Sequence, residues 1–152
     1  MKSTALLLLL LAVSHPRLQA QGADSPSAAI QQFLAAATNK DLAAMAAVWG
    51  TDKGPASKSL NQKELERREF IMITCLPHEK ATLGPSAPGE AGRLRIPVEL
   101  SMVTLHATPI FTVVRGPKRR WFVENLEMDQ LRDKGFCGAT PAPPAPKPPA
   151  TH

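Results

Sequence analysis

At Glu79 the spacing of apolar residues changes from every third or fourth position to every second one. No other feature narrows the folds open to this chain as much. Before the switch, Ile30, Phe33, Leu34 and Ala37 fall at i, i+3, i+4 and i+7, one stripe of a helix. Leu42, Met45, Ala46 and Trp49 repeat that spacing, and Leu65, Met72, Cys75 and Leu76 share a face with the stem of Arg68. After it, Leu94, Ile96, Val98, Leu100 and Met102 alternate with Arg93, Arg95, Pro97, Glu99 and Ser101. Three helices followed by a run of antiparallel strands predict an α+β domain with the helices packed on one face of a sheet of about four strands. A hydrophobic share of 43% with 20% charged residues supplies a core and excludes wholesale disorder.

Local punctuation places the boundaries. Ser25 can cap the first helix, and Pro26 suits its first position, where the missing N–H would be unpaired anyway. Gly50 is placed as a left-handed cap of the second helix, and 50–59 as a polar loop. Asn61 and Glu64 have capping-box spacing for the third helix, which Pro77 ends. The β-branched content of Phe70 to Cys75 also permits a strand there. Lys80 to Leu83, Arg93 to Leu105, Ile110 to Arg115 and Arg120 to Leu126 read as strands, with 84–92 a loop or wide hairpin and 106–109 and 116–119 turns. Pro97 predicts an edge position or a bulge. Asp129 to Lys134 is a helical turn.

The two ends carry different information. Lys2, the nine apolar residues from Ala5 to Val13 and a polar stretch ending in Ala20 have the layout of a secretory signal. The run is too short to span ~30 Å of hydrocarbon as an anchor. Cleavage is expected after Ala20, with Ala23 the second choice. Removing 20 of 152 residues takes Lys2 and Arg17 along, so the net charge falls from +5 to +3. So mild a balance gives no argument for nucleic acid. In an oxidising compartment Cys75 and Cys137 predict one disulfide; two free thiols or an intermolecular bond are the alternatives. Residues 24–138 form the expected folded body. Residues 139–152, with six prolines and no core-forming residue, predict an extended, polyproline-like tail, a spacer or a docking ligand.

Ser25 to Leu34, Asn39 to Gly50, the third helix and the meander ending in Arg115 to Glu124 together resemble the nuclear transport factor two-like superfamily, also called ketosteroid isomerase-like or SnoaL-like. The likeness is to its small exported bacterial members. It implies a curved sheet wrapped around the helices as a cone with a pocket at the mouth. It also implies either an isomerase- or dehydratase-type enzyme or a non-catalytic binding domain, since this fold does not choose its function.

A catalytic member would need an acid or base inside the cone. Alternation assigns Leu94, Ile96, Val98, Leu100, Met102, Ile110, Thr112, Val114, Trp121, Val123 and Asn125 to the inner face, and none is a general base. Only Glu99 and Glu124 qualify, and only if a bulge at Pro97 turns Glu99 inward. Otherwise Glu99 forms an exposed cross-strand pair with Arg115. Neither His78 nor His106 has a partner at a motif spacing, and no metal or cofactor motif is present. The remaining constellation is basic: Arg93, Arg95, Arg115, Lys118, Arg119 and Arg120 are expected at one end of the sheet. They would face an anionic cell-envelope surface, or merely blunt a sheet edge. The expectation is an exported, non-enzymatic domain that binds a small apolar ligand or a partner protein. A homodimer through an outer face centred on Phe111, Val113 and Phe122 is a further expectation.

Overall fold

The computed structural model describes residues 21–139, so the expected signal segment and the expected tail from Thr140 onward lie outside the described residues. Helices pack against an antiparallel sheet. Helix α1 spans Pro26–Asn39, and the Ser25 hydroxyl accepts the Ala28 N–H at 3.1 Å. It ends at Lys40, whose left-handed φ of 53° turns the chain sharply. Asp41 then caps α2, Leu42–Val48, through Ala44 N–H at 3.0 Å. Helix α3 runs Gln62–Cys75, with Asn61 accepting from Glu64 N–H, so the 70–75 stretch is helical. The capping box is half made, because the Glu64 carboxylate turns to Arg67 and Arg68 instead of back to the cap.

Gly50 is not a left-handed cap. It begins strand β1, Gly50–Thr51, which pairs with β2, Gly54–Pro55, and the segment 50–59 is therefore a small hairpin followed by a helical turn at Ala56–Lys58. Glycine is required by proximity: a β-carbon there would lie 2.2 Å from the Gly54 carbonyl oxygen.

The main sheet has the order β3-β5-β7-β8, formed by Lys80–Leu83, Leu94–Met102, Ile110–Arg115 and Trp121–Leu126. Two short strands, β4 (Ala87–Pro88) and β6 (Leu105–Ala107), also pair with β5. Helix α4, Met128–Asp133, follows. Pro97 therefore sits in a central strand, and no bulge forms there. Its carbonyl accepts from Gly84 N–H, on the side where the ladder passes from β3 to β4. The donor that proline lacks would point into that same gap, where no strand needs it.

Two expectations about the meander are corrected. The long strand stops at Met102, and residues 103–104 turn the chain back so that His106 pairs with Ser101 inside β6 instead of lying in a turn. This early turn resets the phase of β7, whereas Val123 of β8, opposite Val113, keeps its expected inner face. Leu94 faces Val113 and Ile96 faces Phe111, so Phe111 and Val113 share the inner face, not Ile110, Thr112 and Val114. Leu126, opposite Phe111, joins them. The core they form with Ile30, Phe33, Met45, Leu100, Leu131 and Phe136 is filled by side chains.

The far edge of β8 is covered by chain from outside the sheet. Ala23 exchanges two hydrogen bonds of 2.8 Å with Trp121, and Trp49 bridges to Val123. Phe122, on the other face of β8, packs against backbone: a β-carbon on Gly22 would come within 2.8 Å of its ring. Phe111, Val113 and Phe122 are all buried, so these three residues are not the exposed apolar centre expected for a dimer face. Cys75 and Cys137 are disulfide-bonded, tying the end of α3 to the chain after α4. Among the described residues, no helix is long and apolar enough to cross a membrane.

Candidate functional site: the basic end of the sheet

Strands β7 and β8 are joined by Gly116-Pro117-Lys118-Arg119-Arg120. The turn is closed by Gly116 N–H to the Arg120 carbonyl at 2.8 Å and by Arg120 N–H to the Pro117 carbonyl at 3.1 Å. Lys118 and Arg119 both adopt left-handed backbone, with φ of 55° and 60°. Two consecutive non-glycine residues in that region cost ~1–2 kcal/mol each. The β1–β2 hairpin lies against this turn. A β-carbon on Gly54 would be 3.7 Å from Pro117 Cγ and 3.8 Å from Lys58 Cδ. The exposed Lys58 thus joins the basic group, a neighbour that strand alternation alone does not reveal.

The six expected basic residues divide into two sets. Arg93 makes a two-pronged ion pair with Glu124, the second contact 2.7 Å long, which with the nearby charges of Asp52 and Glu90 pushes its pKa above the ordinary arginine value. Arg95 reaches Glu127 at 3.3 Å. Arg120 pairs with Asp24 and donates to the Gly22 carbonyl at 2.7 Å, pinning the N-terminal segment over β8. These three cations are spoken for. Arg115 lies with its guanidinium carbon 5.8 Å from the centre of the Trp121 ring, a cation–π geometry that leaves its charge outward. Among the described residues, Arg115, Lys118 and Arg119 form no ion pair, and all three are exposed.

Glu99 and Glu124 do not form an acid–base pair at a pocket mouth. The burial of Ile96, Val98, Leu100 and Met102 continues unbroken past Pro97, which leaves Glu99 exposed on the outer face opposite Thr82. It is not opposite Arg115, because the β5–β7 ladder ends at Pro97 and Arg115 pairs with Trp121. The irregularity lies instead in β8. Thr112 faces Asn125 while Val113 faces Val123, so Glu124 is the extra residue of a bulge. The bulge re-aims its carboxylate at Arg93. Glu124 also lines a small cleft of about 160 Å³ with Trp49, Arg68 and Met72 at the edge of β8. His78 binds the Leu76 carbonyl at 2.8 Å through Nδ1.

One titratable group was not anticipated. Glu69 is only 1% exposed, and its Oε1 has no hydrogen-bond partner. Burial first, and the charge of Glu66 second, push its pKa up to about 7. The signal was present in the sequence: Glu69 stands at the helical spacing of Leu65, Met72 and Leu76. Arg68, expected to lend only its stem to that stripe, pairs with Glu64 at 2.6 Å, as their i, i+4 spacing favours.

Between the helices and the sheet, the described residues leave the small cleft at Glu124, whose walls also include Phe33 of α1 and Val123 and Leu126 of β8. The apolar hollow among those described is a groove of about 380 Å³ on the helical side, between the start of α2, the last turns of α3 and the chain at Gly138. Compared with protein-family models, curated proteins and solved structures, the chain matches none.

Proposed function

We propose that this chain is an exported, non-catalytic binding domain that meets an anionic cell-envelope surface through the β7–β8 turn. The observation that carries the reading is the division of the basic residues. Arg93, Arg95 and Arg120 are consumed by structural ion pairs, whereas Arg115, Lys118 and Arg119 are presented without an acid, two of them on strained backbone. The left-handed φ at both positions is what a tight hairpin turn between β7 and β8 requires; two cations where glycine or asparagine would be easier fit a surface shaped for a ligand.

The order of helices and meander, and the packing of helices on an antiparallel sheet, support the resemblance to the nuclear transport factor two-like superfamily. In this reading the sheet curves about the helices as a cone whose interior is occupied by the core. Export rests on the signal-like segment and the disulfide. Cleavage after Ala20 would keep Gly22 and Ala23, which the fold uses against Phe122 and Trp121. Cleavage after Ala23 would remove both.

The test is retention on vesicles containing phosphatidylglycerol, measured beside neutral phosphatidylcholine vesicles. A basic residue near an anionic surface contributes ~1 kcal/mol. The double substitution Lys118→Glu, Arg119→Glu is therefore expected to weaken retention by at least about tenfold. Added salt should weaken the wild type in the same direction. Arg95→Glu, at a position already paired, should change retention far less. Equal binding of the wild type and the double variant would overturn the reading.

A further inference from the structure

The groove on the helical side has an occupant within the same chain. We propose that the proline-rich segment 140–152 docks back into this groove, across Phe70.

Four observations converge. First, the groove is apolar, walled by Leu42, Phe70, Ile73 and Pro77, and it is completed by Gly138 and Ala139, the last described residues before that segment. Second, the point of exit is fixed. Cys137 is bonded to Cys75, Gly138 N–H donates to the Thr74 carbonyl at 2.8 Å, and Ala139 N–H donates to the Phe136 carbonyl at 3.1 Å. The chain therefore leaves the body from inside the groove wall, at the last turn of α3. Third, Phe70 is 66% exposed, a large ring in water beside the exposed Ile71, with nothing among the described residues covering it. Fourth, the chemistry matches. Proline-rich segments dock on aromatic-lined apolar grooves because their backbone is already extended and loses little entropy on binding. Six prolines lie between Pro141 and Pro149, and the segment has no acidic residue.

Length and linkage favour the contact. An extended proline-rich chain advances ~3.1 Å per residue, so Pro143 and Pro144 are ~12–16 Å from Ala139 along the chain. Phe70 is five residues before Cys75 on α3, a rise of ~7–8 Å, well within that reach. Tethering at the groove wall gives an effective concentration in the millimolar range, so a weak intrinsic contact suffices. Lys40, at the rim and without an ion pair among the described residues, supplies a donor to a segment rich in carbonyls and poor in N–H groups.

The test compares amide and methyl NMR spectra of the disulfide-bonded chain with those of a chain in which all six prolines of 141–149 are serine. That variant keeps length, charge and the Gly138–Ala139 exit. Each is recorded at two concentrations tenfold apart. The expected result is a set of shift changes confined to Leu42, Phe70, Ile73, Thr74 and His78, independent of concentration. Phe70→Ser in the otherwise native chain should move the signals of 140–152 to their positions in the free synthetic peptide. Identical groove signals in the proline and serine chains would overturn the proposal. So would groove shifts that depend on concentration, which would assign the face to a second copy of the chain.

Discussion

Glu69 occupies a position on α3 that an apolar side chain would fill without cost. Its carboxylate is buried and one oxygen lacks a partner, so the fold favours the protonated form and the pKa rises to about 7 from 4.5. The sign follows directly. Between those two values the folded chain holds a proton that the unfolded chain has lost, so stability falls as pH rises through the window and levels off above it. The shift corresponds to at most about 3 kcal/mol. Urea unfolding of wild type is expected to give a lower midpoint at pH 8 than at pH 5, and Glu69→Gln should remove that part of the difference. An equal pH dependence in the two proteins would mean that the carboxyl is solvated after all. Glu69 was legible as a position, since it lies on the stripe of Leu65 and Leu76. It was overlooked because a charged residue on an apolar stripe is normally assigned to its rim. The cap at Ser25 and the Asn61 half of the capping box are legible, because capping depends on atoms within three residues of one another.

At the scale of elements, what the sequence revealed and what it hid separate along the same line. Helix stripes and the alternation of β5 are local periodicities, and both were legible. The register of β7 on β5 was not, because a turn at Val103–Thr104 or at 106–109 is equally open to the sequence and the choice flips every side chain of β7. That flip moved Phe111 and Val113 from a supposed dimer face into the core. The basic turn was legible as a cluster; its division into paired and free cations was not, since the pairs Arg93–Glu124 and Arg120–Asp24 join residues 31 and 96 positions apart. The strain in the β7–β8 turn gives a prediction at this scale. Glycine at position 119 relieves a left-handed φ of 60°, offset by the greater freedom of glycine in the unfolded chain. Arg119→Gly is therefore expected to raise stability by about 0.5 kcal/mol while lowering retention on anionic vesicles. A variant that loses stability would show that the side chain of Arg119 supports the turn.

At the scale of the whole molecule, both ends of the described chain are bound into the fold. At the N-terminal end Gly22 and Ala23 close the edge of β8, and at the other the disulfide holds the segment after α4 against α3. The bond joins residues 62 apart, so in the chain-entropy model it removes about 4 kcal/mol of freedom from the unfolded state. A domain of this size has a total stability of only about 5–15 kcal/mol, so the bond is a large share of it. Reduction, or Cys75→Ala with Cys137→Ala, is expected to shift the urea midpoint strongly downward without changing the spectrum of the β5–β7 ladder, to which neither cysteine belongs. The same bond fixes where segment 140–152 leaves the body. If that segment docks across Phe70, reduction should also weaken its contact under conditions in which the reduced chain remains folded, because the exit point is then held only by the Gly138 and Ala139 hydrogen bonds. Loss of stability with unchanged groove signals would make the bond purely a constraint on the unfolded chain. Loss of both would make it the anchor from which the proline-rich segment reaches its groove.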